Sequence, residues 1–166
     1  NDAENPVLVC HIELADPAGL MRVRGRIKAL FDLDADPLEI NHCLTKDPLL
    51  AAFVVENLGQ RVPGAWDPFE IAVRAIVGQQ ISVKGATTVM GRIARQYGRL
   101  VNQTQFFPSP AELAILDPID LPMPRGRAAA IQMLAAKVAS GEIDFDHFSD
   151  SQSLIDALIS IKGIGG

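Results

Sequence analysis

Read for apolar periodicity, the chain is mainly a succession of helical stripes separated by short polar turns. Leu20, Val23, Ile27 and Leu30 recur at helical spacing with Arg22, Arg26 and Lys28 turned outward, and the stripe ends at Phe31 and an acidic turn. Asp36-Pro37 opens a second helix to about residue 45, and Asp47-Pro48 a third that carries Leu49, Leu50, Phe53 and Val54. Each Asp-Pro pair joins an N-cap side chain to a residue whose φ is already set for the first helical position. Asp67-Pro68 repeats the device before Phe69, Ala72, Val73, Ile76 and Val77, with Glu70 and Arg74 as an i,i+4 pair on the wetter face. Ser82 caps a further stripe of Val83, Ala86, Met90, Ile93, Ala94 and Tyr97, with Arg92, Arg95 and Arg99 on another. Beyond Gly98, residues 106–110 read as a loop into a short helix over 111–116. Asp117-Pro118 turns the chain, and Ile131, Leu134, Ala135 and Val138 define a helix ended by Gly141. A last short helix begins near Ser151 and carries Leu154, Ile155, Leu158 and Ile159.

Residues 7–14 follow another period. Leu8, Cys10, Ile12 and Leu14 alternate with His11 and Glu13, which predicts a strand. A single strand leaves its backbone groups unpaired, so the pattern implies a partner strand upstream or in another copy.

Two interruptions carry the chemistry. The first is Gly78-Gln79-Gln80-Ile81, two adjacent amides at a break between apolar helices. Such amides either satisfy free backbone groups at the junction or await a ligand that supplies their hydrogen bonds. The second is Ile161-Lys162-Gly163-Ile164-Gly165-Gly166, where glycines bend the backbone after the last helix. It is either a helix C-cap and tail, or a hairpin whose exposed amides suit a phosphate.

Composition narrows the class. With 166 residues and 48% hydrophobic content the chain can bury a core, and 5% aromatics favour small-residue helix packing over an aromatic ligand box. No apolar run is long enough to span a membrane and no signal segment opens the chain. Cys10 and Cys43 lack metal spacing and read as reduced core thiols of a cytosolic protein, and His11, His42 and His147 stand singly. The net charge of −5 argues against a nucleic-acid binder as an average, yet residues 71–137 hold eight basic side chains against three acidic ones. The acidic groups around Asp32 and between Glu142 and Asp156 read as solvated faces and helix caps. Trp66, at the junction before Asp67, reads as a packing residue more readily than as a base-stacking platform.

The segment Asp67-Pro68-Phe69-Glu70 through Val73-Arg74-Ala75-Ile76-Val77-Gly78-Gln79-Gln80-Ile81-Ser82, taken with Leu158-x-x-Ile161-Lys162-Gly163-Ile164-Gly165-Gly166, resembles the AlkA-type 3-methyladenine DNA glycosylase II family of the helix-hairpin-helix DNA glycosylase superfamily. The resemblance spans about residues 20–166. It implies a mainly α fold, the helical domains of a helix-hairpin-helix glycosylase, with a remnant of an N-terminal antiparallel sheet. The divisions expected are a strand remnant at 1–16, a helical segment packing on the core at 17–64, and the incomplete glycosylase domain at 65–166.

The activity the resemblance implies is DNA repair: hydrolysis of the N-glycosidic bond of alkylated purines such as 3-methyladenine, after the nucleotide is flipped from the duplex. A carboxylate facing an oxocarbenium-like transition state carries such chemistry, and the resemblance places that aspartate beyond Gly166, so no catalytic residue is assigned within the chain. It places Gln79 at the base pocket and Gln80 at the gap left by the flipped base, where glutamine is a less apolar wedge than the familiar leucine. It assigns DNA contacts to Lys162, Gly163, Gly165 and Gly166, while Arg125 and Arg127 are either strand contacts or solvated arginines. The partner implied is double-stranded DNA with alkylated bases, in the cytoplasm at the nucleoid, with no membrane and no required protein partner. No organic cofactor or side-chain metal site is implied, although the hairpin of the family can hold a monovalent cation through backbone carbonyls. The alternative is a noncatalytic DNA-binding or regulatory module of the same fold.

Overall fold

The computed structural model describes residues 7–14, 16–148 and 150–165. Eight α-helices are present among them: α1 (Leu20–Leu30), α2 (Pro37–Leu44), α3 (Pro48–Glu56), α4 (Pro68–Gly78), α5 (Val83–Tyr97), α6 (Pro110–Ala114), α7 (Arg125–Ala139) and α8 (Ser151–Ile159). The fold is mainly α, as the stripes require. Short-range contacts divide the chain into two compact units, Asn1–Trp66 and Asp67–Gly166.

The helix starts follow from local chemistry. Asp36, Asp47 and Asp67 each accept a hydrogen bond from the amide two residues on, at 2.8, 2.8 and 2.9 Å, with proline at the first helical position. The same arrangement at Asp16 and Asp117 starts two single 3-10 turns. Before α6, Ser109 and Glu112 form a reciprocal capping box, with both the Ser109 amide and hydroxyl donating to Glu112 Oε2 at 2.7 Å.

In the first unit, the connector after α3 folds back on α1. The Gly64 amide donates to the Leu30 carbonyl at 3.0 Å, and a Cβ at Gly64 would lie 2.4 Å from the Ala29 carbonyl oxygen, so only glycine fits. The Arg26 guanidinium donates to the Trp66 carbonyl. Trp66 is half exposed.

Residues 7–14 do not form the expected strand; they are irregular, and among the described residues no strand pairs with their backbone. Their alternation survives. Leu8, Cys10 and Ile12 all line an open pocket of about 390 Å³ together with Arg24, Ile27, Lys28 and Leu33. Cys10 and Cys43 are both exposed free thiols and not core residues as expected.

The second unit is built around α7, which packs on α4 and α6. Its Ala128, Ile131, Leu134 and Ala135 are fully buried among Val73 of α4, Ile93 of α5 and Leu113 of α6. Burying each large aliphatic side chain stabilises the fold by roughly 1.5–3 kcal/mol, and the alanines let the helices approach closely. Val83, assigned to the buried stripe of α5, is instead exposed because it occupies the first turn beyond the core. An unexpected hairpin follows α5: β1 (Arg99–Val101) pairs antiparallel with β2 (Thr104–Phe106), Leu100 opposite Gln105. Asn102 and Gln103 turn it, both at positive φ, 47° and 66°, as a type I′ turn demands.

Candidate DNA-facing site

The amide pair forms a defined turn. Gln79 has φ −57° and ψ 123°, Gln80 has φ +61°, and the Ile81 amide donates to the Gly78 carbonyl at 3.4 Å. This is a type II turn with Gln80 in the position that favours glycine. The turn joins α4 to α5, both fixed by side-chain caps at Asp67 and Ser82. Its location is therefore set by two helices rooted in the core, through Val77 on one side and Ala86 on the other.

The glycine bend is similarly anchored. Ile161 is buried, its amide donates to the Leu158 carbonyl at 3.1 Å, and its carbonyl accepts from the Ile164 amide at 3.0 Å. Gly163 is the third residue of this turn with φ +100°, which side chains rarely adopt. A Cβ at Gly163 would sit 3.4 Å from the Ala130 methyl and 3.7 Å from the Gly126 carbonyl oxygen, so the bend rests on the first turns of α7.

These two features, 84 positions apart, meet: Gln79 Nε2 donates to the Gly163 carbonyl oxygen at 3.3 Å. On the adjoining side, Arg127 Nη2 donates to Gln80 Oε1 at 3.4 Å. Gln79, Gln80, Gly163 and Arg127 thus surround the start of α7. Gln80, Arg125, Lys162, Gly163 and Gly165 are exposed, while Gln79 and Arg127 are half-buried. The Gly163 and Gly165 amides donate to no other described residue. Gly166, also expected at this bend, lies outside the described residues.

Chemically the surface offers amide donors, backbone N–H groups and cationic side chains, a set suited to polar and anionic groups of a nucleic acid. Sequence reasoning missed that Arg127 engages Gln80, and that Gly126 and Ala130 seat the bend. The one available signal was the pair of small residues at i,i+4 opening α7. Among the described residues no cluster of three or more His, Cys, Asp or Glu side chains could hold a metal ion, and no helix is long and apolar enough to cross a membrane.

The mainly α fold is that of the helix-hairpin-helix DNA glycosylases. Among solved structures, MBOgg1 in complex with a low affinity DNA ligand aligns with 91% of this chain and 54% of its own, at a TM-score of 0.69 and 27% identity. Within that class, the AlkA N-terminal domain family model matches residues 1–67. The chain is 39% identical over 161 residues to the "Probable bifunctional transcriptional activator/DNA repair enzyme AlkA" of Mycobacterium tuberculosis, covering 94% of this chain and 32% of the relative. It is 36% identical over 165 residues to DNA-3-methyladenine glycosylase 2 of Escherichia coli, covering 93% and 56% respectively. Residues 1–67 thus match the AlkA N-terminal domain, the chain as a whole is similar to AlkA and DNA-3-methyladenine glycosylase 2, and it spans about a third to just over half the length of these curated relatives.

Proposed function

We propose that this chain is part of a base-excision-repair N-glycosylase, which hydrolyses the glycosidic bond of alkylated purines such as 3-methyladenine in DNA, acting on the nucleoid in the cytoplasm. The observation that carries the reading is the contact between Gln79 and the Gly163 carbonyl, because it brings the amide turn and the glycine bend to one edge. In this reading Gln79 lies at the wall of the pocket that takes the extrahelical base, and Gln80 fills the duplex gap. The Gly163 and Gly165 amides meet a backbone phosphate, with Lys162, Arg125, Arg127 and the Gly166 backbone alongside. The carboxylate that stabilises the sugar cation lies outside residues 1–166 and belongs to the longer protein.

The carbonyls of Leu158, Ile161 and Gly163 each accept one hydrogen bond, from Ile161, Ile164 and Gln79 respectively, and each keeps a second lone pair with which the bend would hold a monovalent cation.

The test is binding to a duplex bearing an abasic-site analogue, compared with an intact duplex, followed by fluorescence anisotropy at several salt concentrations. The chain is expected to prefer the abasic duplex and to lose affinity steeply as salt rises; equal affinity for both duplexes would refute the reading. Base release from alkylated DNA is expected from a longer protein that includes the downstream aspartate and not from residues 1–166. If the longer protein binds but releases nothing, the noncatalytic DNA-binding module replaces the enzyme.

A further inference from the structure

The Gln80 amide has two ends, and the structure engages one of them. Arg127 Nη2 donates to the amide oxygen, which turns that oxygen toward α7 and leaves the exposed NH2 group as the free end of the side chain. The backbone at φ +61° fixes where the side chain departs from the turn. Arg127 is itself half-buried at the start of a helix rooted by Ala128 and Ile131. A glutamine amide whose oxygen is held toward a neighbouring helix presents its NH2 donors outward.

A base swung out of the duplex leaves an orphan opposite the gap. On the minor-groove edge adenine, thymine and cytosine present acceptors, whereas guanine adds its N2–H2 donor. An outward NH2 therefore meets acceptors alone on three orphans, whereas on guanine the N2–H2 donor stands beside the N3 acceptor and opposes it. We infer that Arg127 is a positioning residue that makes Gln80 a reader of the orphan base, accepting thymine and cytosine and disfavouring guanine. The inference rests on the proposed place of Gln80 at the duplex gap. It also deepens that reading, because a purine lesion leaves a pyrimidine orphan, and only a cytosine lesion leaves guanine. An apolar residue at this position could not discriminate in this way, and an unclamped amide could rotate to suit either kind of edge.

The experiment measures affinity of the whole chain for duplexes carrying a tetrahydrofuran abasic analogue opposite each of the four bases. Guanine is expected to bind about fivefold or more weakly than thymine or cytosine, the lower end of a mismatch effect. Gln80→Glu keeps an acceptor for Arg127 and replaces the outward NH2 with an acceptor oxygen, so the order should reverse and guanine should bind tightest. Arg127→Lys keeps the charge but not the rigid fork, so the ratios between the four affinities should converge toward one. Thermal melting of each variant checks that the fold is retained, and ratios between orphans cancel any general loss of charge attraction. A flat profile in the natural chain, or a profile unchanged in both variants, would overturn the inference while leaving preference for abasic DNA intact. Absence of any preference over intact duplex would overturn the glycosylase reading, and this inference with it.

Discussion

Gln80 occupies a backbone position where glycine is the unstrained choice, and a non-glycine residue there costs on the order of 1–3 kcal/mol. Its side chain makes one long hydrogen bond, from the Arg127 guanidinium, at an exposed edge, which orients the amide but offsets that cost only in part. Strain held by a side chain with so little to do in the folded molecule points to a role outside it. Gln80→Gly is therefore expected to leave stability equal or raise it by about 1 kcal/mol, since relief of strain exceeds the added chain entropy, while affinity for abasic DNA falls. Denaturant unfolding and anisotropy on the same samples decide it. A loss of more than about 1 kcal/mol would make Gln80 a structural residue. Sequence reading recognised both glutamines because an amide pair breaks the apolar register visibly. It could not supply the Arg127 contact, which joins residues 47 positions apart and depends on how α7 is seated.

At the scale of elements, helix starts were legible and the hairpin was not. An Asp-Pro cap acts within three residues, so local sequence contains all of its physics. The β1–β2 hairpin has three-residue strands with every residue exposed, and turns on Asn102-Gln103 without the glycine that normally marks such turns. What holds it is Gly98: a Cβ there would lie 2.0 Å from the Phe106 carbonyl oxygen and 2.5 Å from that of Ala94. Gly98→Ala must push β2 off the end of α5 and should cost about 1–3 kcal/mol, the range for forced overpacking, read as a lowered unfolding midpoint. The α6 capping box adds a pH dependence. Hydrogen bonds from the Ser109 side chain and backbone, aided by the Arg99 charge, hold Glu112 below the ordinary glutamate value. A carboxyl depressed in the folded state contributes its stability above its unfolded value and loses it as pH falls through the folded one. Unfolding midpoints should thus drop on acidification from the ordinary glutamate range downward, and Glu112→Gln should flatten that part of the curve. An unchanged slope would mean the box is not formed in solution.

Across the whole molecule, the net charge of −5 and the local excess of basic groups over residues 71–137 act on different terms. The net charge governs solubility, while only cations that reach phosphates release counterions and set the salt slope. The proposed interface uses two kinds of phosphate partner, and they are separable. Arg125 is an exposed cation at the start of α7, whereas Gly165 offers a neutral amide at an exposed bend where a Cβ would meet nothing within 4 Å. Replacing Arg125 with alanine should reduce the slope of log affinity against log salt by about 0.9, the value for one phosphate contact on duplex DNA. Gly165→Pro removes the N–H without touching charge, so affinity for abasic DNA should fall at every salt concentration with the slope unchanged. Both follow from one anisotropy titration series in increasing salt. If Gly165→Pro alters the slope, or Arg125→Ala leaves it untouched, the phosphate runs along a different face, and the roles given to the bend and to the start of α7 would have to be exchanged or withdrawn.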